Sequence, residues 1–561
     1  MPSENVVETD VLIVGGGIAG CFAAIKAREH GLAVTIADKT SAGNSGGTLV
    51  AGYGYVVFNP EWGHNLDDCM NAINTKGEYI NNREWTEIVL KDSWATYEAL
   101  ESWGTEFVEG EDGTKSVKAY PPFGVVRMGL TRAGPPSRKQ AVKSGVEIMD
   151  GITVVELLKQ DGRVVGAIGF APTTGDLYVF KAKATVISSG VNTFRSLGNI
   201  SNLTGDGEAM AYRAGAEITS KEFPDTNALP VDPSGSLFGE AFPLWRYHTD
   251  AEGNRLDLSD EYELALTQEF AVHAGRGPII WDLDTATSED IEKMRQRQEH
   301  SVPPKSKWAA FDPGKRGKFR IAGGAWVGMQ NSQTGGIWPI NTKCATTLPG
   351  LYAAGECCGT RYLGAYHPAP GFGLLGSAVT GTRAGIGAAE YALQVEKPVI
   401  DGEELARAKR ILYAPVERNS GFSPRWVTQI LHNTVVPYFI IYIKHEERLK
   451  AALTIVRFLN DHLVPKLTAK DSHELRLAHD TKNMVLHAEM ILRCSLFRTE
   501  SRGVHYREDY PRRDDPAWLA WVKLREENGE MKLWKEPVPK EWWPDLSKPY
   551  EEIYPRRLLG E

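Results

Sequence analysis

The apolar positions near the start of the chain form two short uninterrupted runs with a helical pattern between them. The first run, Val11 to Val14, is of the kind that a strand buried on both faces requires. A helix is predicted to begin near Ile18, and a second apolar run over residues 33–36 leads to Asp38. This order predicts a strand, a helix and a second strand, which is the start of an α/β domain.

Further along the chain the same patterns predict both helices and strands. Apolar residues recur at helical spacing over residues 65–103 and from 403 to about 487. Residues 146–170 predict paired strands around a D-G turn, and residues 183–190 predict another buried strand. Residues 374–393 are rich in alanine and glycine and lack proline, which predicts a tightly packed helix.

Changes in this patterning divide the chain. From Phe223 the sequence becomes rich in Pro, Gly, Ser and Asp, then charged and irregular, and strand-like sequence returns at Gly350. The tail after Asp515 has no periodicity, so we expect an extended arm whose exposed tryptophans favour a partner surface. The predicted divisions are a first domain in two parts (1–222 and 333–400), an inserted domain (223–332), a helical domain (401–515) and an extended C-terminal arm (516–561).

Composition disfavours several classes of protein. The 561 residues include 63 basic and 72 acidic side chains, and the net charge of -9 gives no electrostatic reason to expect nucleic acid or an anionic membrane. We expect no secretory signal and no membrane insertion, because the most apolar stretch, Val435 to Ile443, is too short and contains Pro437. The six cysteines lack C-x-x-C groupings, so we expect no metal or iron–sulfur site in this chain and a reducing, cytoplasmic location.

The turn between the first strand and the first helix carries the clearest chemical signal. Gly15, Gly17 and Gly20 have the G-x-G-x-x-G spacing. The first glycine permits a tight turn, the second lets the backbone approach a pyrophosphate at the helix N-terminus, and the third lets helix and strand pack closely. Asp38 stands where an acid accepts hydrogen bonds from a ribose 2′-hydroxyl and disfavours the phosphate of NADP. The pattern predicts dinucleotide binding and leaves NAD and FAD open.

Several motifs accompany this turn along the chain. They are, in order, VLIVGGGIAG with Asp38, NSGGTLVAGYG, TGDG at 204–207, TGGIWPI, LYAAGECCG and RTESRGVHYREDYPRRDD at 498–515. In this order they resemble one family, the flavoprotein subunits of succinate dehydrogenase and fumarate reductase together with L-aspartate oxidase and the alpha subunit of adenylylsulfate reductase. The opening VVETDVLIVGGGIAGC looks most like the adenylylsulfate reductase branch.

The resemblance implies an α/β fold with FAD as the cofactor: a Rossmann-like FAD-binding domain, interrupted by an α+β capping domain and followed by a helical C-terminal domain. Membrane-complex members carry a histidine that bonds covalently to FAD where this chain has Gly46, so we expect non-covalent FAD. Gly376 and Ser377 match the opening of a helix whose positive N-terminus faces the flavin. The implied cofactor-binding residues are Gly15, Gly17, Gly20, Asp38, Lys39, Ser45, Gly46, Gly47, Asp206, Glu356, Gly376 and Ser377.

On the substrate side the chain departs from the family. Fumarate reductases read F-H-P-T-G where this chain reads FPDTN from Phe223 to Asn227, so the substrate histidine is absent. A second family histidine matches Asn331, and the family segment N-R-L-G-x-N, whose arginine clamps a carboxylate, is here HPAPGFGLLGS from His367 to Ser377. Plain succinate or fumarate is therefore a disfavoured substrate.

Three residues are the catalytic candidates. Arg276, within HAGRGPI, resembles the capping-domain arginine that delivers a proton or binds the substrate anion, and its guanidinium offers a planar fork to a carboxylate or sulfate. His273 precedes it by three residues, and His367 lies in the turn before the flavin-facing helix. Asp225 and Arg246 are lesser candidates.

The charged block at 498–515 is expected to be structural. Such a density of charge more often forms buried ion pairs than a site. By resemblance the block ties the helical domain to the flavin domain, with structural roles for His505 and Arg507.

The expected function is that of an FAD-dependent oxidoreductase subunit whose substrate is small and anionic. It would reduce the C=C bond of an unsaturated acid or thioester, or run the reverse reaction, and its electron partner would be a separate iron–sulfur or ferredoxin-like subunit. Two alternatives stay open: an adenylylsulfate-reductase-like activity on a sulfur compound, and an electron-transfer flavin module without its own substrate.

Overall fold

The structure is a computed structural model of the chain, and a seven-stranded sheet forms its centre. It describes residues 3–50, 54–109, 115, 117–120, 122–129, 131–195, 202–223, 247–256, 267, 270–301, 312–322, 335–366, 368, 371–555 and 558. The strands are β1 (Glu4–Val14), β2 (Val34–Asp38), β3 (Gly54–Val57), β4 (Val117–Tyr120), β5 (Phe123–Arg127), β6 (Glu147–Asp150), β7 (Thr153–Gln160), β8 (Arg163–Phe170), β9 (Leu177–Ile187), β10 (Ile218–Thr219), β11 (His248–Thr249), β12 (Ile279–Asp282), β13 (Lys318–Ala322), β14 (Gly336–Ile337), β15 (Leu351–Ala353), β16 (Ile443–Lys444), β17 (Tyr506–Arg507), β18 (Ala520–Glu527) and β19 (Glu530–Pro537). The helices are α1 (Ile18–Glu29), α2 (Gly47–Val50), α3 (Leu66–Lys76), α4 (Arg83–Lys91), α5 (Ser93–Trp103), α6 (Gly134–Lys143), α7 (Asp206–Ala214), α8 (Ser288–Ser301), α9 (Phe372–Gln394), α10 (Gly402–Glu417), α11 (Pro424–Val435), α12 (Tyr438–Ile441), α13 (Glu446–Phe458), α14 (Ser472–Phe497) and α15 (Tyr550–Ile553).

The central sheet is parallel where it carries the predicted nucleotide-binding unit. Its order is β6-β2-β1-β9-β8-β7, with β15 paired to β9. β1 is parallel to β2 and β9, whereas β7, β8 and β9 are antiparallel neighbours. Val11, Leu12 and Ile13 are fully buried, which confirms the strand that the first apolar run predicts.

Two helices pack closely beside this sheet because glycines leave room for backbone contact. A Cβ atom at Gly381 of α9 would lie 2.4 Å from the carbonyl oxygen of Ala19 in α1. One at Gly385 would lie 2.3 Å from the carbonyl oxygen of Ala23. The tightly packed helix predicted from the alanine and glycine content is therefore confirmed, and its partner is the helix that follows the glycine turn.

A small α+β unit occupies the described part of residues 247–322. Its strands β11, β12 and β13 form an antiparallel sheet, and α8 follows β12 along the chain. Trp281, Leu283 and Met294 are fully buried in its own hydrophobic core. This is the class of unit predicted for the capping domain, while the predicted domain boundaries stay predictions.

Helices α10, α11, α13 and α14 form the helical region predicted for the last third of the chain. Val427, Leu449 and Val485 are fully buried in a core that three of these helices share. The apolar stretch before α13 also lies in that core, and Val435 and Ile443 are fully buried. Within the described ranges, none of the helices combines the length and the hydropathy that crossing a membrane requires.

The tail corrects the sequence prediction. In place of an extended arm, β18 and β19 form a hairpin that joins β10 and β14 in a four-stranded sheet. Trp518 and Trp521 are buried, and the indole of Trp521 donates to the carbonyl of Ile80 at 2.7 Å. The other tail tryptophans are half-buried, so the expectation of exposed tryptophans is wrong.

Candidate functional site

The glycine turn has the geometry that its spacing predicts. Gly15 has φ 103°, and a Cβ atom there would lie 2.6 Å from the carbonyl oxygen of Ser188. A Cβ atom at Gly20 would lie 1.9 Å from the carbonyl oxygen of Gly15. Gly17 is the N-cap of α1. The first and third glycines are thus required by the tight turn and by close packing.

Asp38 holds this turn in place. Its Oδ2 accepts from the amide of Gly16 at 2.7 Å, and its Oδ1 accepts from the amide of Thr40 at 2.8 Å. An ionised carboxylate offers about four lone-pair sites, so these bonds leave acceptor capacity. The contact to a ribose hydroxyl stays a prediction, and the structure adds a supporting role that the spacing does not indicate.

Lys39 and Asp206, both predicted to bind the cofactor, bind each other. The Lys39 ammonium donates to Asp206 Oδ2 at 2.9 Å, to Thr204 Oγ1 at 2.8 Å and to Asp480 Oδ1 at 2.5 Å. The carbonyl of Asn202 lies farther away, at 3.4 Å, so the three hydrogens of the ammonium are matched by the three nearer oxygens. Burial by itself lowers the pKa of Lys39, but Asp206 and Asp480 more than offset it, and the pKa lies above its ordinary value. Direct contact of either residue with a cofactor stays a prediction.

The loop after β2 meets the segment after β15. Ser45 Oγ donates to the carbonyl of Ser41 at 2.9 Å. A Cβ atom at Gly47 would lie 3.2 Å from Glu356 Oε2, so the glycine lets this loop pass close to the acid. Gly46 has φ 70°, and a Cβ atom there would come no closer than 3.6 Å to a described atom, Cδ2 of Leu203. Residues predicted from distant motifs therefore lie side by side.

The predicted flavin-facing helix begins earlier than the sequence indicates. Helix α9 starts at Phe372, because Gly371 adopts the left-handed conformation that turns the chain into the helix. Gly376 and Ser377 therefore lie in its second turn and do not open it, which corrects the prediction. Ser377 faces the segment after β15, where a Cβ atom at Gly355 would lie 3.5 Å from its Oγ.

Arg276 is the catalytic candidate whose side chain the structure describes. It ends a π-helical turn, Val272–Arg276, and its Nη1 lies 3.5 Å from Asp250 Oδ2. The arginine side chain is 47% exposed, whereas that of Asp250 is fully buried. Burial by itself raises the pKa of Asp250, but hydrogen bonds from Asn254 and Glu252, together with Arg276, bring it below its ordinary value. The pair therefore presents a charged, accessible guanidinium on the capping unit.

The other catalytic candidates are not described at side-chain level. His273 lies in the same π-helical turn as Arg276, and its side chain is outside the described set. His367, Asp225, Arg246 and Asn331 lie outside the described residues.

The charged block at 498–515 forms buried ion pairs, as predicted. Arg498, Arg502 and Arg507 are almost completely buried, and Arg498 Nε donates to Glu222 Oε1 at 2.9 Å. His505 is fully buried beside Lys444, with 2.8 Å between Nδ1 and Nζ. The block joins the helical region to the end of the flavin-binding region.

Sequence reasoning did not find three members of the buried charge networks. The residues next to Glu222 and Lys444 in sequence are ordinary apolar or charged residues, which do not mark either position as part of a network. Arg361 lies within the glycine-rich stretch that follows LYAAGECCG. Arg361 is fully buried with its guanidinium 4.9 Å from the ring centre of Phe223, and burial lowers its pKa to about 9. A lone arginine in a stretch of small and apolar residues was the available signal for Arg361.

Over most of its length the chain is similar to known flavoproteins. Residues 10–373 match the family described as FAD binding domain, and residues 431–553 match the family described as fumarate reductase flavoprotein C-term. One subunit of the fumarate reductase (CoM/CoB) of Methanothermobacter marburgensis is 28% identical over 568 residues, covering 93% of this chain and 98% of that protein. An uncharacterized FAD-dependent oxidoreductase of Methanocaldococcus jannaschii is 28% identical over 565 residues, covering 95% and 98%.

Solved structures share the fold. The adenylylsulfate reductase of Archaeoglobus fulgidus superposes with a TM-score of 0.80 at 23% identity, covering 96% of this chain and 97% of that one. A variant of FrdA from the E. coli quinol fumarate reductase gives 0.82 at 18% identity, covering 95% and 97%. These similarities confirm the predicted fold class of an FAD-binding domain with a cap and a helical C-terminal domain.

Proposed function

Because the chain belongs to the FAD binding domain family and is an FAD-dependent oxidoreductase, we propose that it is the flavin subunit of an enzyme acting on a small anionic substrate. The substrate class is an unsaturated acid or its thioester, reduced at the C=C bond or formed by the reverse reaction. Bound FAD supplies hydride chemistry, and the protein supplies binding, orientation and charge. The supporting observation is that the glycine loop at Gly47, the acid Glu356 and the helix residue Ser377 lie together beside the nucleotide-binding turn.

The residues at this place fit FAD. The turn at Gly15 and Gly17 would hold the diphosphate at the start of α1, and Glu356 would hold ribityl or ribose hydroxyls. Gly46 has no side chain that could form a covalent link. The backbone of Gly46, with φ at 70°, also disfavours a bulky residue at this position. Among the described atoms none would clash with an added Cβ atom, so the conformation and not crowding favours glycine. The cofactor is therefore held without a covalent bond.

Arg276 is the residue that would meet the substrate anion. Its guanidinium offers a planar fork of donors, and its ion pair with Asp250 is long, at 3.5 Å. A carboxylate that binds the other edge of the guanidinium would gain a bidentate contact without breaking the buried hydrogen bonds of Asp250. This geometry suits a small carboxylate and does not require the missing family histidines, whereas the neutral carbonyl oxygen of a thioester would accept a single hydrogen bond from the guanidinium.

A separate iron–sulfur subunit would carry the electrons to or from the flavin. The relative from M. marburgensis is itself named as one subunit of its enzyme. The six cysteines of this chain are all buried, and no group of three or more metal-binding side chains occurs among the described residues. Burial raises the pKa of Cys357 to about 12, which leaves its thiol unreactive.

The first experiment concerns the cofactor. The visible spectrum of the purified protein is recorded, the protein is precipitated with acid, and the spectrum of the supernatant follows. We expect oxidised-flavin bands that move entirely into the supernatant. Yellow colour retained in the pellet would show a covalent link and contradict the role given to Gly46.

The second experiment concerns the substrate. The photoreduced protein is mixed anaerobically with crotonate, crotonyl thioester, fumarate or adenylylsulfate, and flavin reoxidation is followed. We expect reoxidation by an enoate or enoyl thioester. Reoxidation by adenylylsulfate alone would favour a sulfur-compound reductase, and reoxidation only by one-electron acceptors would favour an electron-transfer module.

A matched pair of variants tests the role of Arg276. Removing the charge in Arg276→Gln should lower kcat/KM about 30-fold, since a hydrogen bond between charged groups contributes about 2 kcal/mol. Arg295→Gln is the control, because Arg295 is also 47% exposed and pairs with Asp312 at 3.3 Å on the same unit. Equal losses in both variants would remove Arg276 from the site.

A further inference from the structure

Helix α14 of the helical region reaches the cofactor region with two polar side chains. Asp480 accepts from the Lys39 ammonium at 2.5 Å, and Asn483 donates to Asp206 Oδ1 at 2.8 Å. Residues three apart on a helix share a face, so both side chains point to the same place. That face meets the end of β2 and the start of α7.

The charges at this contact are balanced. Asp480 is 1% exposed and also accepts from Arg195 Nη1 at 3.1 Å. Two cations, Lys39 and Arg195, thus meet two acids, Asp206 and Asp480. Of these two acids, Asp480 comes from the helical region, and it pairs with both cations.

This contact is connected to the glycine turn through consecutive residues. Lys39 directly follows Asp38, whose carboxylate accepts from the amide of Gly16. Lys39 also binds Thr204, whose hydroxyl donates to Asp206 Oδ1 at 2.8 Å in the TGDG motif. A displacement of the Lys39 backbone would therefore also move Asp38 and shift the turn that faces the diphosphate.

We propose that Asp480 is a positioning residue for FAD: by holding Lys39 it fixes the end of β2 and the TGDG turn, so that the nucleotide cradle is complete only with the helical region in place. Asp480 does not itself touch the cofactor. It acts through Lys39, and the role is independent of which substrate the enzyme uses. Without the Asp480 carboxylate, Lys39 and Arg195 would keep Asp206 as the one acid of this contact, and the incompletely compensated Lys39 ammonium would be drawn toward water or toward the diphosphate.

The test is Asp480→Asn, a change that keeps the shape and removes the charge. FAD release from the holoprotein is followed by the rise in flavin fluorescence on dilution. We expect the dissociation constant for FAD to rise about tenfold. Asp480→Glu, which keeps the carboxylate, should restore binding to within about threefold.

The matched control is Glu404→Gln in helix α10. Glu404 also joins the helical region to the flavin region, because its Oε1 accepts from the amide of Lys159 at 2.9 Å, but its partner lies on β7. We expect FAD release from this variant to match the parent within about twofold. Equal weakening in both variants would show that any loosening of the interface releases FAD and would overturn the role of Asp480.

A purely structural role gives a different result. Urea unfolding at saturating FAD would then shift to lower midpoint in Asp480→Asn, while the FAD dissociation constant stayed unchanged, and this outcome would overturn the proposal. If Asp480→Asn does not fold, Thr204→Val carries the test, because it leaves both acids in place and removes the hydroxyl that accepts from Lys39 and donates to Asp206 and Asp480. Weaker FAD binding in that variant supports the network, and unchanged binding refutes it.

Discussion

Arg276 and Arg498 show two different uses of a guanidinium in one chain. Arg498 is fully buried and donates to Glu222 at 2.9 Å, to Glu500 at 2.8 Å and to the carbonyl of Ala520 at 2.7 Å. Arg276 is 47% exposed, and its ion pair with Asp250 spans 3.5 Å. An arginine that has already satisfied its donors holds the fold, whereas one that keeps an exposed edge can bind an anion.

The same contrast explains why charge density is a poor guide to a site. The block at 498–515 is the most conspicuous charged motif, and its buried arginines Arg498, Arg502 and Arg507 donate to acids and carbonyls of the chain. The capping unit has fewer charges near Arg276, yet there the charge is accessible. Burial and satisfied donors, more than the number of charges, separate the structural arginine Arg498 from Arg276, the one proposed to bind the substrate anion.

The largest expected effect comes from Arg498. Arg498→Met leaves the Glu222 carboxylate buried without its guanidinium, and breaking a buried pair in this way costs about 3–5 kcal/mol of unfolding free energy. Urea unfolding measures the loss. The double variant Glu222→Gln with Arg498→Met should recover part of it because the carboxylate that loses its guanidinium is removed as well, and a loss below about 1 kcal/mol in the single variant would contradict the structural role.

A smaller effect, confined to activity, is expected at Arg276. Arg276→Lys keeps the charge but loses the planar fork of the guanidinium. We therefore expect kcat/KM to fall about tenfold in Arg276→Lys, which is less than the fall expected for Arg276→Gln. Unfolding free energy should change by less than about 0.5 kcal/mol, because lysine keeps a positive charge beside Asp250 and the Arg276 side of the pair is half exposed. Steady-state kinetics and urea unfolding on the same preparation separate the two readouts. A stability loss of several kcal/mol would place Arg276 in the same class as Arg498.

The nucleotide-binding turn was predictable because its determinants are local. Gly15, Gly20 and Asp38 lie within one strand–helix–strand unit, and the tight turn and close packing follow from their spacing. The contact between Lys39 and Asp480 joins residues 441 positions apart, so no window of sequence contains it. Long-range ion pairs depend on how domains dock, which periodicity does not encode.

The sequence of the tail contains a hairpin signal that the predicted extended arm does not take into account. Asn528 and Gly529 form a two-residue Asn-Gly loop with φ values of 55° and 84°, the strongest short-range sign of a hairpin. The alternation that should accompany it is hidden, because β18 is buried on both faces from Ala520 to Leu524. A strand buried on both faces shows no alternation of polar and apolar residues, so the turn residues carry the information there.

The smallest expected effect concerns a third way to bury an ionisable group, which is to keep it neutral. His479 of α14 is buried, its Nε2 lies 2.9 Å from the carbonyl oxygen of Leu412, and burial with the nearby Lys482 lowers its pKa from 6.5 to about 3. Between pH 3 and pH 6.5 the His479 imidazole is protonated in the unfolded chain and neutral in the folded protein. The contribution of this group to the free energy of unfolding is therefore complete above pH 6.5 and falls as the pH drops toward 3, by about 1 kcal/mol between pH 6.5 and 5.5.

Urea unfolding at a series of pH values tests this expectation. His479→Gln should reduce the slope of the unfolding free energy against pH, whereas His473→Gln, at an exposed position of the same helix, should leave it unchanged. The slope is the deciding quantity because it does not depend on what the substitution costs at neutral pH, and equal slopes in all three proteins would show that His479 is not held neutral by the fold.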